Sequence, residues 1–260
     1  MESIEPAIKS VEVPKKLTRG EWFWAEFKFF AKLGVFLLAF LTFVWGHYKI
    51  PSESMQPTLE VGDHLYVSKY AYGVSKHSLP LLLHKLPLPE GRIFSKVPDR
   101  GDVVVFRNPR SDIVMIKRLV GLPGDRIQVK RGQLYINDRL VPRDKIDARF
   151  YRDHKYQRVV SVNVFHQTLP DSDKTFVIYE KNDVSPLDST SLFIVPENSL
   201  FFMGDNRDNS VDSRDQDYGP GIVHMNYVIG RADRMMFSFK KCNRNEDLYC
   251  PPKGRWMEKL

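Results

Sequence analysis

Two serines, Ser52 and Ser54, stand between Pro51 and Pro57 in PSESMQPTL, Pro51 to Leu59. The prolines fix backbone angles and remove amide donors, so the segment is held out of regular structure with its hydroxyls on a rigid, extended chain. A serine hydroxyl stays unreactive until a base takes its proton. His64, in GDHLYVSKY, is one base with many Asp residues available to orient it, but nothing in its setting singles it out. Lysine is the other. At its ordinary pKa near 10.4, roughly one lysine in two thousand is neutral at pH 7. Lowering that pKa by about 3 units costs about 4 kcal/mol, which desolvation normally supplies. The base should therefore lie among apolar neighbours. In VMIKRLVG, Val114 to Gly121, strand alternation puts Lys117 on one face with Met115 and Leu119, while Arg118 points the other way with Ile116 and Val120. Lys69 in VSKYAYG is a weaker candidate for the same role.

Other chemistries find less support. Seven histidines (47, 64, 77, 84, 154, 166, 224) form no HxxxH, HxH or Cys/His pairing, so no catalytic metal is expected. Neither a Gly-rich phosphate loop nor a nucleotide fingerprint occurs, and no cofactor is expected. The acidic loop GDNRDNSVDSRDQDYG, Gly204 to Gly219, invites a calcium reading. Counted from Asp208, however, the calcium template meets Ser213 where Gly is needed and Gly219 where a bidentate Glu is needed. Cys242 and Cys250 are the only cysteines, and in an oxidising compartment they are compatible with a short structural disulfide.

The elements that must carry these residues read as strands and turns. β-branched and aromatic runs recur between Gly, Pro, Asn and Asp, among them Asp102–Arg107, Val114–Val120, Arg126–Lys130, Gln133–Asn137, Val159–Phe165, Phe176–Glu180, Leu192–Val195, Leu200–Met203 and Met235–Phe239. In VVSVNVF the alternation of Val160, Val162 and Val164 with Ser161 and Asn163 marks a half-buried antiparallel strand. Hairpin turns are expected at Arg131-Gly132 and Asn137-Asp138. The body is expected to be all-β: a large antiparallel catalytic core from residues 50–125 and 199–260, interrupted by a smaller inserted β-domain over 126–198. Residues 74–99 form a Pro- and Leu-rich connection, packed on the core or lying as an apolar flap on a membrane.

Hydrophobicity is concentrated near the N-terminus. Leu33 to Trp45 carries no charge, and Phe29 to Tyr48 is 20 residues, roughly 30 Å of helix at ~1.5 Å each if Lys32 snorkels. A transmembrane anchor is therefore expected over 29–48, after a cytoplasmic tail at 1–28. The approach is too long for a cleaved signal and no small-x-small site follows. Six basic residues lie on the N-terminal side, Lys9, Lys15, Lys16, Arg19 and Lys28 before the span and Lys32 in its first turn, against Lys49 just behind it, which puts the N-terminus in the cytoplasm and the body outside. With 39 Lys plus Arg and 32 Asp plus Glu, the net charge is +7, of which residues 50–260 carry +5. So scattered an excess gives no ground for nucleic-acid binding.

Four segments together resemble the type I signal peptidases of bacteria, membrane-anchored Ser/Lys endopeptidases: Pro51–Leu59, Gly62–Gly73 (GDHLYVSKYAYG), Arg100–Asp125 and Gly204–Arg214 (GDNRDNSVDSR), about 58 residues in the family's order. The resemblance selects Ser54 over Ser52 as nucleophile and Lys117 over Lys69 as general base. It implies that the Ser52 hydroxyl and the Ser54 N–H form the oxyanion hole, that Ser210 orients the Lys117 amine, and that Asp205–Arg118 and Asp212–Arg214 are structural ion pairs beneath the site. It implies signal peptides of exported preproteins as substrates, cut after small residues in an Ala-X-Ala pattern, and an inner-membrane location beside the lipid bilayer. Met115 stands where many relatives carry Tyr, and YGPGIVHMN lacks the usual Val-Pro, departures that bear on fine specificity. Competing readings are a self-cleaving Ser/Lys protease, for which no DNA-binding segment precedes the core, and a membrane-tethered β-domain serving as a binding module or inactive relative.

Overall fold

The computed structural model describes residues 18–80, 83–239, 246, 248–252 and 255–260. It divides into two compact units, one ending at Ala39 and the other running from Phe40 to Leu260. The helix α1 spans Arg19–Phe43. Thr18 and Glu21 form a reciprocal cap at its start: the Thr18 N–H donates to the Glu21 carboxylate at 2.8 Å, and the Glu21 N–H donates to Thr18 Oγ1 at 3.3 Å. Its charges, from Arg19 to Lys32, lie in the first part, and Leu33–Phe43 has none.

The expected span over Phe29–Tyr48 is not one helix. After Val44 the chain becomes strand, and Trp45, Gly46, His47 and Tyr48 lie opposite Ser68, Val67, Tyr66 and Leu65. The reason is local: Trp and Tyr suit a strand, and Gly46 lies so close to Val67 that an added Cβ would sit 3.2 Å from the valine Cβ. Among the described residues, no helix is long and apolar enough to cross a membrane.

Among the described residues, seventeen strands follow one another along the body. Before residue 126 come β1 (Trp45–Lys49), β2 (Asp63–Ser68), β3 (Val74–Ser75), β4 (Arg92–Ile93), β5 (Val103–Arg107) and β6 (Val114–Gly121). The middle stretch holds β7 (Arg126–Lys130), β8 (Gln133–Ile136), β9 (Arg139–Leu140), β10 (Arg143–Arg152), β11 (Val159–Thr168), β12 (Thr175–Glu180) and β13 (Phe193–Ile194). The last are β14 (Ser199–Met203), β15 (Val223–His224), β16 (Val228–Ser238) and β17 (Glu258–Lys259).

Strands from the two ends of the sequence build the main sheet, in the order β1-β2-β16-β5-β6-β14-β15 with β17 on β16. All its ladders are antiparallel. The middle strands pair with one another, as β13-β7-β8-β9 and as β10-β11-β12. The two stretches still share a core, since Val120, Phe201 and Met203 pack with Ile127, Leu134 and Ile178.

Both expected turns form, with Arg131 at φ 47° and Gly132 at 73°, and Asn137 and Asp138 at 52° and 63°. In β11, Val162 and Val164 are buried, as the alternation requires. The long strand β10 escaped the sequence reading because RDKIDARFYR is mostly exposed and offers almost no apolar alternation. The 74–99 connection folds partly into β3 paired with β4. Cys250 is disulfide-bonded, whereas Cys242 lies outside the described residues.

Candidate active site

The serine segment is fixed by what it buries. Ile50, Met55 and Leu59 sink into a core with Leu65, Val103, Val105 and Met235, each full burial stabilising by ~1.5–3 kcal/mol. The acidic loop clamps the same segment from outside. The Asn206 N–H donates to the Ser54 carbonyl at 3.1 Å, and its side-chain amide donates to the Glu53 carbonyl at 3.2 Å. So close an approach requires glycine at 204, where an added Cβ would collide with Ser210 Oγ and the Ser54 carbonyl oxygen.

Lys117 lies opposite Val104 on the neighbouring strand β5. Leu119 and Met115 join the cluster that contains Val104, as strand alternation predicted. Only 3% of Lys117 is exposed, and its Nζ donates a hydrogen bond to Ser54 Oγ. Burial pushes its pKa down to about 8. The carboxylates of Asp212 and Asp205 oppose that shift, and Arg214 adds to it. When the amine loses its proton, the same line lets the Ser54 hydroxyl donate to it.

Both expected ion pairs form. Arg118 grips Asp205 with two bonds of 2.8 and 2.7 Å, donates to the Gly101 carbonyl at 2.7 Å, and lies 4.0 Å from the centre of the Phe176 ring. Arg214 holds Asp212 with two bonds of 2.9 Å, and the Gly204 N–H donates to the same carboxylate at 2.9 Å. Burial alone would push the Asp212 carboxyl up, but Arg214 and the Gly204 N–H outweigh it and hold the carboxyl below the usual range.

Ser52 Oγ is 3.4 Å from Ser54 Oγ. Ser210 is buried against Gly204, and its hydroxyl helps Arg214 and the Gly204 N–H hold the Asp212 carboxyl down; the expected bond to the Lys117 amine is not formed. His64 is not joined to a serine; its Nδ1 is 2.8 Å from His47 Nε2, and its ring stacks on Phe237. Lys69 is also buried, and its pKa is pushed down to about 8 by burial, with no carboxylate opposing the shift as at Lys117. Its amine, however, donates to the carbonyls of Leu41 and Ser78, at 2.8 and 2.6 Å.

Sequence reasoning missed three contributors. Thr58 donates to Asp205 at 2.6 Å, Asn206 clamps Ser54, and the buried carboxylate of Glu53 ties the segment to more distant chain. Asn206 stood inside the quoted GDNRDN run. Glu53 carried no signal, since a glutamate in a loop is normally solvated.

Residues 22–237 match the family model described as "Signal peptidase, peptidase S26". The signal peptidase I of Rickettsia typhi is 38% identical over 201 residues, covering 74% of this chain and 72% of that protein. That of Rickettsia akari is 35% identical over 233 residues, covering 86% and 82%. A crystal structure of a signal peptidase I from Enterococcus faecalis aligns at 27% identity over 52% of this chain and 97% of that one, with a TM-score of 0.30. A family model covering most of the chain, and relatives matched over more than two thirds of their length, agree with the geometry around Ser54: the chain belongs to the signal peptidase family and is a serine endopeptidase.

Proposed function

We propose that this protein removes signal peptides from exported preproteins, with Ser54 as nucleophile and neutral Lys117 as general base. One observation carries the assignment: the buried Lys117 amine is hydrogen-bonded to Ser54 Oγ. Ser54 Oγ attacks the scissile carbonyl carbon while its proton passes to Lys117 Nζ. The tetrahedral intermediate then collapses, the C–N bond breaks, and the lysine proton leaves with the amine of the mature chain. Lys117, neutral again, takes a proton from the water that attacks the ester carbonyl and passes it to Ser54 Oγ as the acyl C–O bond breaks, which releases the carboxyl end of the signal peptide and regenerates the serine. Ser52 Oγ and the Ser54 N–H hold the developing oxyanion, supported by the 3.4 Å approach of the two hydroxyls. Ser210 is the residue we assign to steering the amine once substrate is bound, on the ground that it is buried against Gly204, where the Ser54 carbonyl also approaches, beside the Asp212 carboxylate. The Arg118–Asp205 and Arg214–Asp212 pairs form the rigid floor.

We further read residues 50–125 and 199–260 as the catalytic core and 126–198 as an inserted β-domain. The support is that each stretch makes its named strand ladders within itself. The segment 1–28 is read as a cytoplasmic tail and the apolar half of α1, Leu33–Phe43, as the part that tethers the enzyme to the bilayer, with the body on the extracytoplasmic side. The charge asymmetry and the uniform exposure of large apolar side chains such as Val35 and Phe36 support this. Cleavage of a preprotein by the wild type, and none by Ser54→Ala or Lys117→Ala at equal folded concentration, tests the dyad. Release of the full chain from membranes by alkaline carbonate would remove the tether reading.

A further inference from the structure

The β10–β11 hairpin extends ten residues on each arm, and its tip ends on the nucleophile segment. The Glu53 side chain makes that junction. This residue stands between Ser52 and Ser54, is 7% exposed, and points its carboxylate away from solvent. One of its oxygens accepts the His154 backbone N–H at 2.7 Å, just past the end of β10. The other accepts the Asn209 side-chain amide at 3.1 Å, from the acidic loop. The tip itself is closed by its own bonds, with the Gln157 N–H donating to the Asp153 carbonyl at 3.0 Å. Tyr151, buried on β10, receives a bond from the Asn206 amide at 3.3 Å, so the hairpin and the acidic loop meet twice around one residue of the serine segment.

We propose that Glu53 is a positioning residue that fixes the Ser54 hydroxyl against Lys117 by locking the nucleophile segment to the β10–β11 tip and to Asn209. This rests on the reading of Ser54 as nucleophile. Three arguments carry it. A buried carboxylate is costly unless its lone pairs are filled; its oxygens accept from His154 and Asn209 of distant chain segments, and the Asp153 side chain of the hairpin tip bonds it as well. Its backbone neighbour is the reacting serine, so rotation of residue 53 moves Ser54 directly. Displacements near 1 Å at a reacting group cost about a hundredfold in rate, so a clamp one residue away bears on turnover. The middle stretch of the sequence would then contribute to catalysis through its hairpin tip.

The test uses the full chain in detergent, with a peptide spanning a signal cleavage site. Glu53→Ala is expected to lower kcat about 10- to 100-fold and leave KM within about twofold, with an equal fall in the rate at which a penem acylates Ser54. Glu53→Gln, which keeps an oxygen acceptor at the same reach, should recover most of kcat. Asn209→Ala removes one partner without altering the serine segment; it should lower kcat less, and combining it with Glu53→Ala should add little. Full turnover by Glu53→Ala, a loss confined to KM, or additive effects of the two alanines would overturn the proposal. So would a glutamine variant as slow as the alanine variant, which would make charge rather than position the requirement. Ser54→Ala, run alongside, keeps the readings apart: if it still turns over, the nucleophile assignment fails, whatever Glu53 does.

Discussion

Lys117 and Lys69 live in two regions that prepare a lysine in the same way. Both are nearly excluded from solvent, and burial pushes both pKa values down to about 8. They differ in what the amine meets. Lys117 faces a hydroxyl, while Lys69 donates to two backbone carbonyls that have no proton to give. Desolvation therefore makes a lysine available as a base, and only an adjacent acidic hydrogen makes it one. At Lys69 the same chemistry serves cohesion instead: it binds Leu41, a carbonyl of the last turn of α1, to Ser78 at the edge of the 74–99 connection.

The largest expected effect separates the two lysines outright. Ser54→Ala and Lys117→Ala should each reduce preprotein processing by at least about 10⁴-fold, since nucleophile and base fail as a unit. Lys69→Ala should remain within about tenfold of wild type, with circular dichroism confirming that all three fold. Near-normal processing by Lys117→Ala together with a dead Lys69→Ala would invert the comparison.

Next comes the floor that Lys117 has and Lys69 lacks. Asp212→Ala leaves Arg214 buried without its carboxylate, and urea unfolding should register a loss of about 3–5 kcal/mol. A loss under 1 kcal/mol would show that the pair does not hold the site together. Ser52→Ala should then cost about 2–4 kcal/mol of transition-state stabilisation, seen in kcat with the Ser54–Lys117 pair untouched. An unchanged kcat would remove Ser52 from the oxyanion hole.

The smallest effect is in pH. Activity should climb about tenfold per unit below pH 8 and level off above it, as Lys117 becomes neutral, and EDTA should not change it. The stability consequence follows from proton counting. The unfolded chain keeps its lysine proton up to about 10.5 while the folded one releases it near 8, so stability rises with pH across that window. Below pH 8 the burial of Lys117 costs its full amount, about 3 kcal/mol. Lys117→Met should flatten part of the slope between pH 8 and 10.5, and Lys69, pushed down to about 8 as well, should supply part of what remains. A slope unchanged by Lys117→Met would mean that the amine is not desolvated as its burial indicates.

Much of this molecule was legible before any fold was drawn. The rigid Pro-flanked serines, the lysine on an apolar strand face and the turns at Arg131-Gly132 and Asn137-Asp138 depend on local chain geometry, which short stretches of sequence specify. The all-antiparallel character followed from the same alternation. Where the reading went astray, the deciding partner was remote. Hydrophobicity alone lets Trp45–Tyr48 continue the helix or leave it, and pairing with β2 makes it strand. The exposed strand β10 has almost no apolar face to advertise it, and it exists because β11 offers it a ladder.

Sequence by itself therefore determined which hydroxyls and amines are candidates for the chemistry and the local setting each one has, because residue type, backbone restriction and neighbouring apolar side chains act over a few residues. Tertiary structure alone decided which desolvated lysine meets a hydroxyl, that Asn206 and Gly204 close over Ser54, and that Glu53 reaches a hairpin tip about a hundred residues away. Those outcomes depend on contacts between segments far apart in the chain, and hydrogen-bond geometry at that range is fixed only when the sheets are packed.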